Sequence, residues 1–272
     1  MKWNKQLQQA LIVISVLSSV AFYWLFAYEL KRSNFTLLTV LFSLSFLAYA
    51  LIYKLKSNFK LSWFIAIAIF FRLLFLFSIP SLSDDFFRFL WDGQLLVNGI
   101  NPYALLPTEV QLSFPNKELL LSQMNSPIYY SIYPPLNQLF FAIPALISPQ
   151  SILGSVVVLR LIIISAEIGT LLILPKLLKQ LALSPHKSLL YALNPLVIVE
   201  LTGNLHFEAL WVFALLGSIY LLQKKQLYLS SIFWAAAASI KLIPLLFLPA
   251  LMRMLSSSKW MRYYVLTALV FG

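Results

Sequence analysis

The sequence predicts an all-α protein that crosses a membrane several times, and its composition, its apolar runs and its charge pattern all indicate this. Of its 272 residues 61% are hydrophobic and only 11% are charged, whereas soluble domains carry about 25% charged residues. Several windows hold about 18 or more nearly uncharged residues, enough for a helix to cross a bilayer. The net charge is +11, but the lysines cluster between apolar runs, as in cytoplasmic loops. A nucleic-acid partner is therefore not expected.

Three apolar segments predict the first three helices, at about residues 7–27, 35–53 and 61–79. A lysine cluster between the second and third segments assigns that side of the membrane to the cytoplasm. The loop at residues 80–135 then lies on the non-cytoplasmic side. Its acidic residues outnumber its basic ones, which suits a loop on that side.

An amphipathic helix is expected near the start of this outer loop. Asp84, Asp85, Arg88 and Asp92 fall within about 100° of one another on a helical wheel, and phenylalanines and leucines occupy most of the remainder. This pattern predicts a helix that lies on the membrane surface with one narrow polar stripe. A second short surface helix is expected near residues 116–124.

The second half of the chain alternates apolar segments with polar breaks. Residues 136–147 are too few to span and predict an interfacial helix, whereas residues 151–174 predict a full span. Two pairs of short halves follow, and such halves persist in a bilayer only when packed inside a helix bundle. The pairs are residues 188–201 with 209–222 and residues 227–240 with 242–251.

Charged residues also lie inside the predicted helices, where they are costly unless paired or functional. Arg72, Arg160 and Glu167 are of this kind. Arg160 and Glu167 share a helix face at a spacing of seven residues, so we predict a structural pair between them inside the bundle.

Five groups of polar residues are separated in the sequence, yet this topology brings them to one membrane face. Each group alone has a structural explanation: a salt-bridge ladder on a solvated helix face, a turn, a rigid helix entry, an interfacial histidine or a snorkelling lysine. Their order and shared face favour an active site at the outer membrane boundary. The groups are Asp84/Asp85/Arg88/Asp92, Asn101-Pro102-Tyr103, residues 129–135 with Tyr133, Asn204/His206/Glu208, and Lys241.

The ordered set of short motifs is more specific than any one of them. It comprises Ser83-Asp84-Asp85 with Arg88 and Asp92, Gly99-Ile100-Asn101-Pro102-Tyr103, Tyr133-Pro134-Pro135-Leu136, Asn194-Pro195, residues 203–208, and Lys241-Leu242-Ile243-Pro244. The set resembles the GT-C glycosyltransferases over about residues 71–249. The resemblance is to polyprenol-phosphate-mannose-dependent mannosyltransferases, including the catalytic subunit of GPI mannosyltransferase I and its bacterial relatives. The eukaryotic relatives carry an Asp-x-Asp pair, whereas here the acids are adjacent, so which of Asp84 and Asp85 is the equivalent acid stays open.

The resemblance implies a GT-C-like helix bundle with a non-cytoplasmic catalytic loop that contains surface helices. The implied reaction moves a hexosyl, by analogy mannosyl, group from a polyprenyl-phosphate donor to a hydroxyl of a glycan or glycolipid acceptor at the outer face. Asp84 or Asp85 would be the general base, and cations would stabilise the departing phosphate. Residues expected to bind the donor phosphate or the substrates are Arg88, Asp92, Asn101, Tyr103, Tyr133, Asn204, His206, Glu208 and Lys241.

Metal use is left open: a divalent cation such as Mg²⁺ or Mn²⁺, if one is used, would bind Asp84 and Asp85. No other cofactor is expected, and with no Cys and two His a thiolate site is excluded and a histidine-built zinc site is not expected. No Gly-rich phosphate loop is visible, and a lipid-linked donor requires none. The lipid bilayer is itself a partner. The resemblance implies a bacterial inner (plasma) membrane, with the site facing the periplasm or the exterior.

Two other classes of protein compete with this interpretation. A transporter or lipid flippase would hold polar groups near the bilayer midplane between repeated halves, whereas here the densest acid cluster lies in the outer loop and no repeat is visible. A non-catalytic membrane subunit would not need acids and a lysine on one face. We predict an N-terminal transmembrane hairpin at residues 1–60 and a catalytic core at residues 61–272. Because an apolar segment begins near residue 263, we expect the core to continue beyond residue 272.

Overall fold

The computed structural model describes residues 4–56, 59–253, 255 and 257–271, and the regular structure within them is helical. Short 3-10 helices cover Pro107–Glu109, Pro185–Ser188 and Ile243–Arg253, and a π-helix covers Ile198–Gly203. The α-helices are, in order, α1 (Lys5–Tyr28), α2 (Phe35–Leu55), α3 (Leu61–Leu73), α4 (Asp85–Val97), α5 (Lys117–Gln123), α6 (Pro135–Ile147), α7 (Ile152–Gln180), α8 (Leu189–Ala192), α9 (Pro195–Val197), α10 (Glu208–Gln223), α11 (Leu227–Ile240) and α12 (Ser257–Phe271).

Three of these helices, α1, α2 and α7, are long and apolar enough to cross a membrane. A fourth span is present if Pro195–Gly203 and Glu208–Gln223, which meet at a bend of 114°, count as one broken helix. The chain is an all-helical integral membrane protein with several spans, as predicted. The bend lies within the polar segment that the sequence indicated as a turn.

The first two helices form the predicted hairpin. Each begins at an asparagine cap: the Asn4 and Asn34 side chains accept hydrogen bonds from the backbone N–H groups of Gln6 and Leu37, at 3.1 and 3.0 Å. Such caps satisfy donors that the first helical turn leaves free. Whether residues 1–60 form a separate part stays a prediction, and residues 1–3 and 272 lie outside the described residues.

The third helix is shorter than predicted. The apolar run suggested a span over residues 61–79, but α3 ends at Leu73 and an irregular segment follows. The reason lies outside the local sequence. The Arg160 guanidinium donates hydrogen bonds to the carbonyls of Leu76 and Ser78, at 3.1 and 2.6 Å. These bonds satisfy backbone groups that would otherwise need helical partners.

The outer-loop helix α4 is not a surface helix, and that prediction is wrong. Its polar stripe exists, but Arg88 is 2% exposed and Asp92 is fully buried. The helix packs closely on α6, where a Cβ at Gly93 would lie 2.0 Å from the Phe141 carbonyl oxygen. Phe89 stacks on the Phe141 ring at 4.5 Å. The helix ends at Val97, and Gly99, which was predicted to stop it, follows the cap residue Asn98 with a φ of +75° that suits glycine.

The buried charges of the bundle pair differently from the prediction, so the predicted Arg160–Glu167 pair is wrong. Glu167 binds Arg72 instead, at 2.6 Å, and both side chains are fully buried. Arg160 donates to backbone carbonyls, including those of Thr202 (2.9 Å) and Gly203 (3.0 Å) at the helix break. Arg72 on α3 is therefore the partner that the spacing within α7 could not indicate.

Candidate active site

A cleft of about 570 Å³ opens between the start of α4, the entry to α6, the bend before α10 and the segment after α11. Its walls are mostly aromatic and aliphatic, and several ionisable side chains line them. The cleft brings together residues that are far apart in the sequence. The lining residues are Asp85, Phe89, Ile132, Tyr133, Pro134, Asn137, His206, Phe207, Glu208, Trp211, Ile240, Lys241, Leu242 and Ile243.

The two adjacent aspartates have different surroundings. Asp85, the first residue of α4, lines the cleft, and its Oδ1 accepts a hydrogen bond from Asn125 Nδ2 at 2.8 Å. Its other carboxylate oxygen lies 4.0 Å from His206 Nε2. Asp84 is the N-cap residue and its carboxylate binds the Arg32 guanidinium at 2.9 Å. Only Asp85 of the two lines the cleft.

Besides Tyr133, four ionisable residues line the cleft, and we call Asp85, His206, Glu208 and Lys241 the cleft cluster. The Lys241 ammonium pairs with the carboxylate of Glu208, the first residue of α10. His206 Nδ1 lies 3.5 Å from Glu200 Oε2, so the ring has a carboxylate near each nitrogen. The cluster holds a carboxylate, an imidazole and an ammonium within one cavity, which are the groups that proton transfer and anion binding require.

Asn204 lies apart from the cleft. It is 3% exposed, and its amide donates to Glu200 Oε2 at 3.1 Å. Glu200 was missed by the sequence interpretation, although the spacing of four residues between Glu200 and Asn204 could have indicated a pair on one helix face. Glu200 Oε2 also lies 3.5 Å from His206 Nδ1, so Asn204 reaches the histidine only through Glu200.

Arg88 and Asp92 lie behind the cleft. They form, with Ser131 and Gln138, what we call the interior cluster. Arg88 Nε donates to Asp92 Oδ1 at 2.7 Å, and Ser131 and Gln138 donate to Asp92 Oδ2 at 2.5 and 3.0 Å. Arg88 Nη1 also binds the carbonyls of Ser126 and Tyr129, at 3.1 and 2.8 Å. The cluster thus fastens the loop that enters α6 to the middle of α4.

The protonation of Asp92 reflects opposing influences. Burial raises the pKa of its carboxyl above the ordinary value of 3.8, while the Arg88 charge and the hydrogen bonds from Gln138, Ser131 and Arg88 lower it. Burial is the larger influence. Both carboxylate oxygens of Asp92 already accept hydrogen bonds from protein side chains. Asp92 therefore has a structural role in this arrangement.

Asn101 and Tyr103 line a neighbouring depression of about 410 Å³. Asn101 Oδ1 accepts a hydrogen bond from the backbone N–H of Tyr103 at 2.9 Å, and the Tyr103 hydroxyl donates to the Tyr133 carbonyl at 2.6 Å. Burial raises the pKa of both the Tyr103 and the Tyr133 hydroxyl, so both stay protonated near neutral pH. The chain segment with Tyr133 therefore separates the cleft from this depression.

The carboxylates of the two adjacent aspartates have different partners. The Asp84 carboxylate binds Arg32, whereas the Asp85 carboxylate faces Asn125 and His206. Within the described ranges, no group of three or more His, Cys, Asp or Glu side chains is arranged to hold a metal ion.

One family model matches most of this chain, and one known protein matches half of it. The sequence model of a family described as alpha-(1->6)-mannopyranosyltransferase, N-terminal domain, matches residues 8–257. Alpha-(1->6)-mannopyranosyltransferase A from Mycobacterium tuberculosis is 28% identical over 141 residues, which are 50% of this chain and 26% of that relative. The chain thus matches about a quarter of the relative's length. No solved structure matches it.

Proposed function

We propose a function on one premise: the chain belongs to the alpha-(1->6)-mannopyranosyltransferase family. The proposed activity is transfer of a mannosyl group from a polyprenyl-phosphate donor to a hydroxyl of a glycan or glycolipid acceptor. The observation that carries it is the cleft, in which the carboxylate of Asp85 and the ammonium of Lys241 line the same space of about 570 Å³. Transfer from a sugar phosphate requires both a base and a cation.

Asp85 is the proposed general base, because it lines the cleft and retains acceptor capacity. A carboxylate can accept about four hydrogen bonds, and one bond, from Asn125, is made to it by the described residues. Its Oδ2 lies 4.0 Å from His206 Nε2, too far for a hydrogen bond, so this oxygen keeps its acceptor capacity. Asp84, which binds Arg32 outside the cleft, is not the proposed base.

Lys241 and His206 are the proposed ligands of the donor phosphate. The ammonium of Lys241 pairs with Glu208, but an ammonium has three donors, so it can bind a phosphate oxygen without releasing that carboxylate. His206 Nε2 faces the same cavity. Positive groups fixed at the departing phosphate favour the reaction because negative charge accumulates there in the transition state.

The rim of the cleft suits the polyprenyl chain. Ile132, Leu242 and Ile243 line the cavity and are 84%, 57% and 38% exposed. In a protein with several membrane spans, exposed apolar side chains of this kind can lie against lipid. A donor bound through its lipid requires no nucleotide-binding loop, which agrees with the absence of such a motif from the sequence.

The proposed reaction is one displacement. The acceptor oxygen attacks the anomeric carbon while the bond from that carbon to the phosphate oxygen breaks. The acceptor proton passes to Asp85, and polyprenyl phosphate leaves with the bonding electrons. A single displacement inverts the anomeric configuration, so an alpha product requires a donor of beta configuration.

The side of the membrane is also a proposal. Lysines from the end of α2 to the start of α3, and from the last turns of α7 onward, lie at the ends of the spans, and such clusters favour the cytoplasmic side. The acid-rich segment with α4 and α5 then lies on the other side. We propose that the cleft faces the exterior or periplasm of a bacterial inner membrane.

The experiment compares Asp85→Asn with Asp84→Asn in the full-length protein, purified in detergent and supplied with polyprenyl-phosphate mannose and membrane glycolipid acceptors. Loss of a general base lowers a rate by about 10²- to 10⁴-fold, which is the result expected for Asp85→Asn. Asp84→Asn is the matched control and should retain most of the transfer. Equal transfer by wild type and a folded Asp85→Asn protein would refute the assignment, and a wild type inactive toward every acceptor would refute the activity.

A further inference from the structure

Two residues that line the cleft each carry a buried polar atom without a partner among the described residues. Among the described residues, Asn137 Oδ1 and Trp211 Nε1 are buried and make no hydrogen bond, and both residues line the cleft. Asn137 is 3% exposed. A buried polar group without a hydrogen bond is costly and rare. Two of them in one cavity indicate a ligand that completes them.

The orientation of the Asn137 amide follows from its other contact. Asn137 Nδ2 donates to the carbonyl of Ile240 at 2.9 Å, between α6 and the end of α11. Rotating the amide by half a turn would set its oxygen against that carbonyl and break the bond. The amide nitrogen is therefore committed to Ile240, and the unpartnered atom is an acceptor.

The two atoms need hydrogen-bond partners of opposite kinds. Asn137 Oδ1 needs a donor, and the indole N–H of Trp211 needs an acceptor. A phosphodiester anion has no proton to donate, and a polyprenyl chain has neither group. A sugar hydroxyl serves as both donor and acceptor, so a hexose satisfies both atoms.

The position of Asn137 favours the donor hexose over the acceptor. Its amide binds the carbonyl of Ile240, which directly precedes Lys241, the proposed phosphate ligand. In the donor the hexose is bonded to that phosphate. A sugar ring held next to the phosphate site is therefore the ring of the donor.

We propose that Asn137 and Trp211 form the recognition site for the donor hexose: Asn137 Oδ1 accepts a hydrogen bond from one ring hydroxyl, and Trp211 Nε1 donates one to an oxygen of the same sugar. This inference rests on the proposed function, since it assumes that the cleft binds a sugar phosphate. It assigns specificity for the sugar to residues that the acidic motif does not contain.

The opposing explanation is that Asn137 only ties α6 to the end of α11 through Ile240. Asn137→Leu removes both the tie and the acceptor. Asn137→Asp removes the tie, because a carboxylate cannot donate to a carbonyl, but it keeps an acceptor oxygen. The two variants therefore separate a structural role from hydroxyl recognition.

The experiment measures binding of a short-chain polyprenyl-phosphate mannose and of its single-deoxy analogues to the full-length protein in detergent, by isothermal titration. For wild type, one deoxy donor should bind about tenfold more weakly than the parent, the effect of leaving a buried acceptor unpaired. Asn137→Asp should keep this discrimination and Asn137→Leu should lose it, as a double-mutant cycle requires.

Trp211→Phe has a matched control in Trp234→Phe. Trp234 Nε1 is also buried without a partner among the described residues, but Trp234 packs with Leu248, Leu251 and Tyr263 in a separate cluster. Trp211→Phe should weaken binding of the short-chain polyprenyl-phosphate mannose several-fold, and Trp234→Phe should leave it unchanged.

The outcomes separate the two proposals. Equal discrimination among the deoxy donors by wild type, Asn137→Asp and Asn137→Leu would overturn the donor-hexose site. Specific binding without transfer by wild type would refute the proposed activity while supporting this site. If the wild type does not bind the donor, both proposals fail.

Discussion

Asp85 and Asp92 stand about two turns apart on α4, and each belongs to a cluster that contains a positive group. In the interior cluster, Asp92 is fully buried and accepts hydrogen bonds from Arg88, Ser131 and Gln138. In the cleft cluster, the Asp85 side chain is 35% exposed and has Asn125 as its hydrogen-bond donor among the described residues. The difference teaches that the sequence motif does not decide the role of an acid, because the role depends on how many acceptor positions the fold leaves free.

The largest expected effect is a loss of stability when a substitution breaks the interior cluster. Arg88→Met leaves the carboxylate of Asp92 buried without its cation, and removing one partner of a buried pair costs about 3–5 kcal/mol in the free energy of unfolding. Chemical denaturation in detergent micelles measures the loss. The double variant Arg88→Met/Asp92→Leu should recover much of it, because no buried charge remains. A single variant as stable as wild type would mean that Asp92 needs no counter-charge.

The next effect appears in activity and not in stability. Lys241→Met should lower transfer by about 10²- to 10³-fold, the range found when a group that stabilises developing charge is removed. Its free energy of unfolding should change by less than about 1 kcal/mol, since the Lys241–Glu208 pair is partly exposed and screened. Initial rates with Lys60→Met, an exposed lysine outside the cleft, provide the control. If unfolding changes more than transfer, Lys241 has a structural role.

A smaller effect tests one bond within the interior cluster. Ser131→Ala removes the hydroxyl that donates to Asp92 Oδ2 at 2.5 Å, and losing a hydrogen bond to a charged group costs about 1.5–3 kcal/mol. The pKa of Asp92 should rise further, because this donor favours the ionised form. Ser122→Ala is the control: its hydroxyl donates to Leu119 within α5. Denaturation midpoints that match for the two variants would count against the cluster.

The smallest effect concerns Asp84. Its pair with Arg32 has side chains that are 43% and 65% exposed, and exposed pairs contribute about 0.2–1 kcal/mol. Arg32→Ala should therefore lower the free energy of unfolding by less than about 1 kcal/mol, and the difference should shrink as salt is added. Denaturation at low and high salt measures it. A larger loss that persists in high salt would show that this pair anchors the loop.

Sequence patterns predicted those helices whose ends depend on residues nearby in the sequence. The bounds of α2, α5 and α11 agree with the apolar runs and the residues flanking them. The early end of α3 could not be predicted, because it depends on Arg160 from a distant helix. The burial of α4 could not be predicted either: a polar stripe at helical spacing looks the same whether water or another side chain satisfies it.

The candidate site was predictable as a set of motifs and not as a geometry. Asp85, Tyr133, His206, Glu208 and Lys241 meet in one cleft, and their sequence order had suggested one face. The choice between Asp84 and Asp85 depends on the positions of Arg32 and Asn125, which no spacing encodes. Asn137 was missed although the sequence held a signal, since Asn137 and Gln138 are two adjacent amides in an otherwise apolar segment.

Arg160 lies in the long span α7 and donates to carbonyls from two separate helix breaks, at residues 76–78 and at residues 202–203. Inside a bilayer, carbonyls at helix breaks have no water to bind, and here one guanidinium donates the hydrogen bonds that water would otherwise provide. Because the two breaks share one guanidinium, a displacement of Arg160 would leave the carbonyls of both breaks without their donor. Hydrogen exchange is expected to show them opening together as one cooperative unit. The chain that leads to Asp85 and the chain that leads to His206 are then held in a common frame, although they are remote in the sequence.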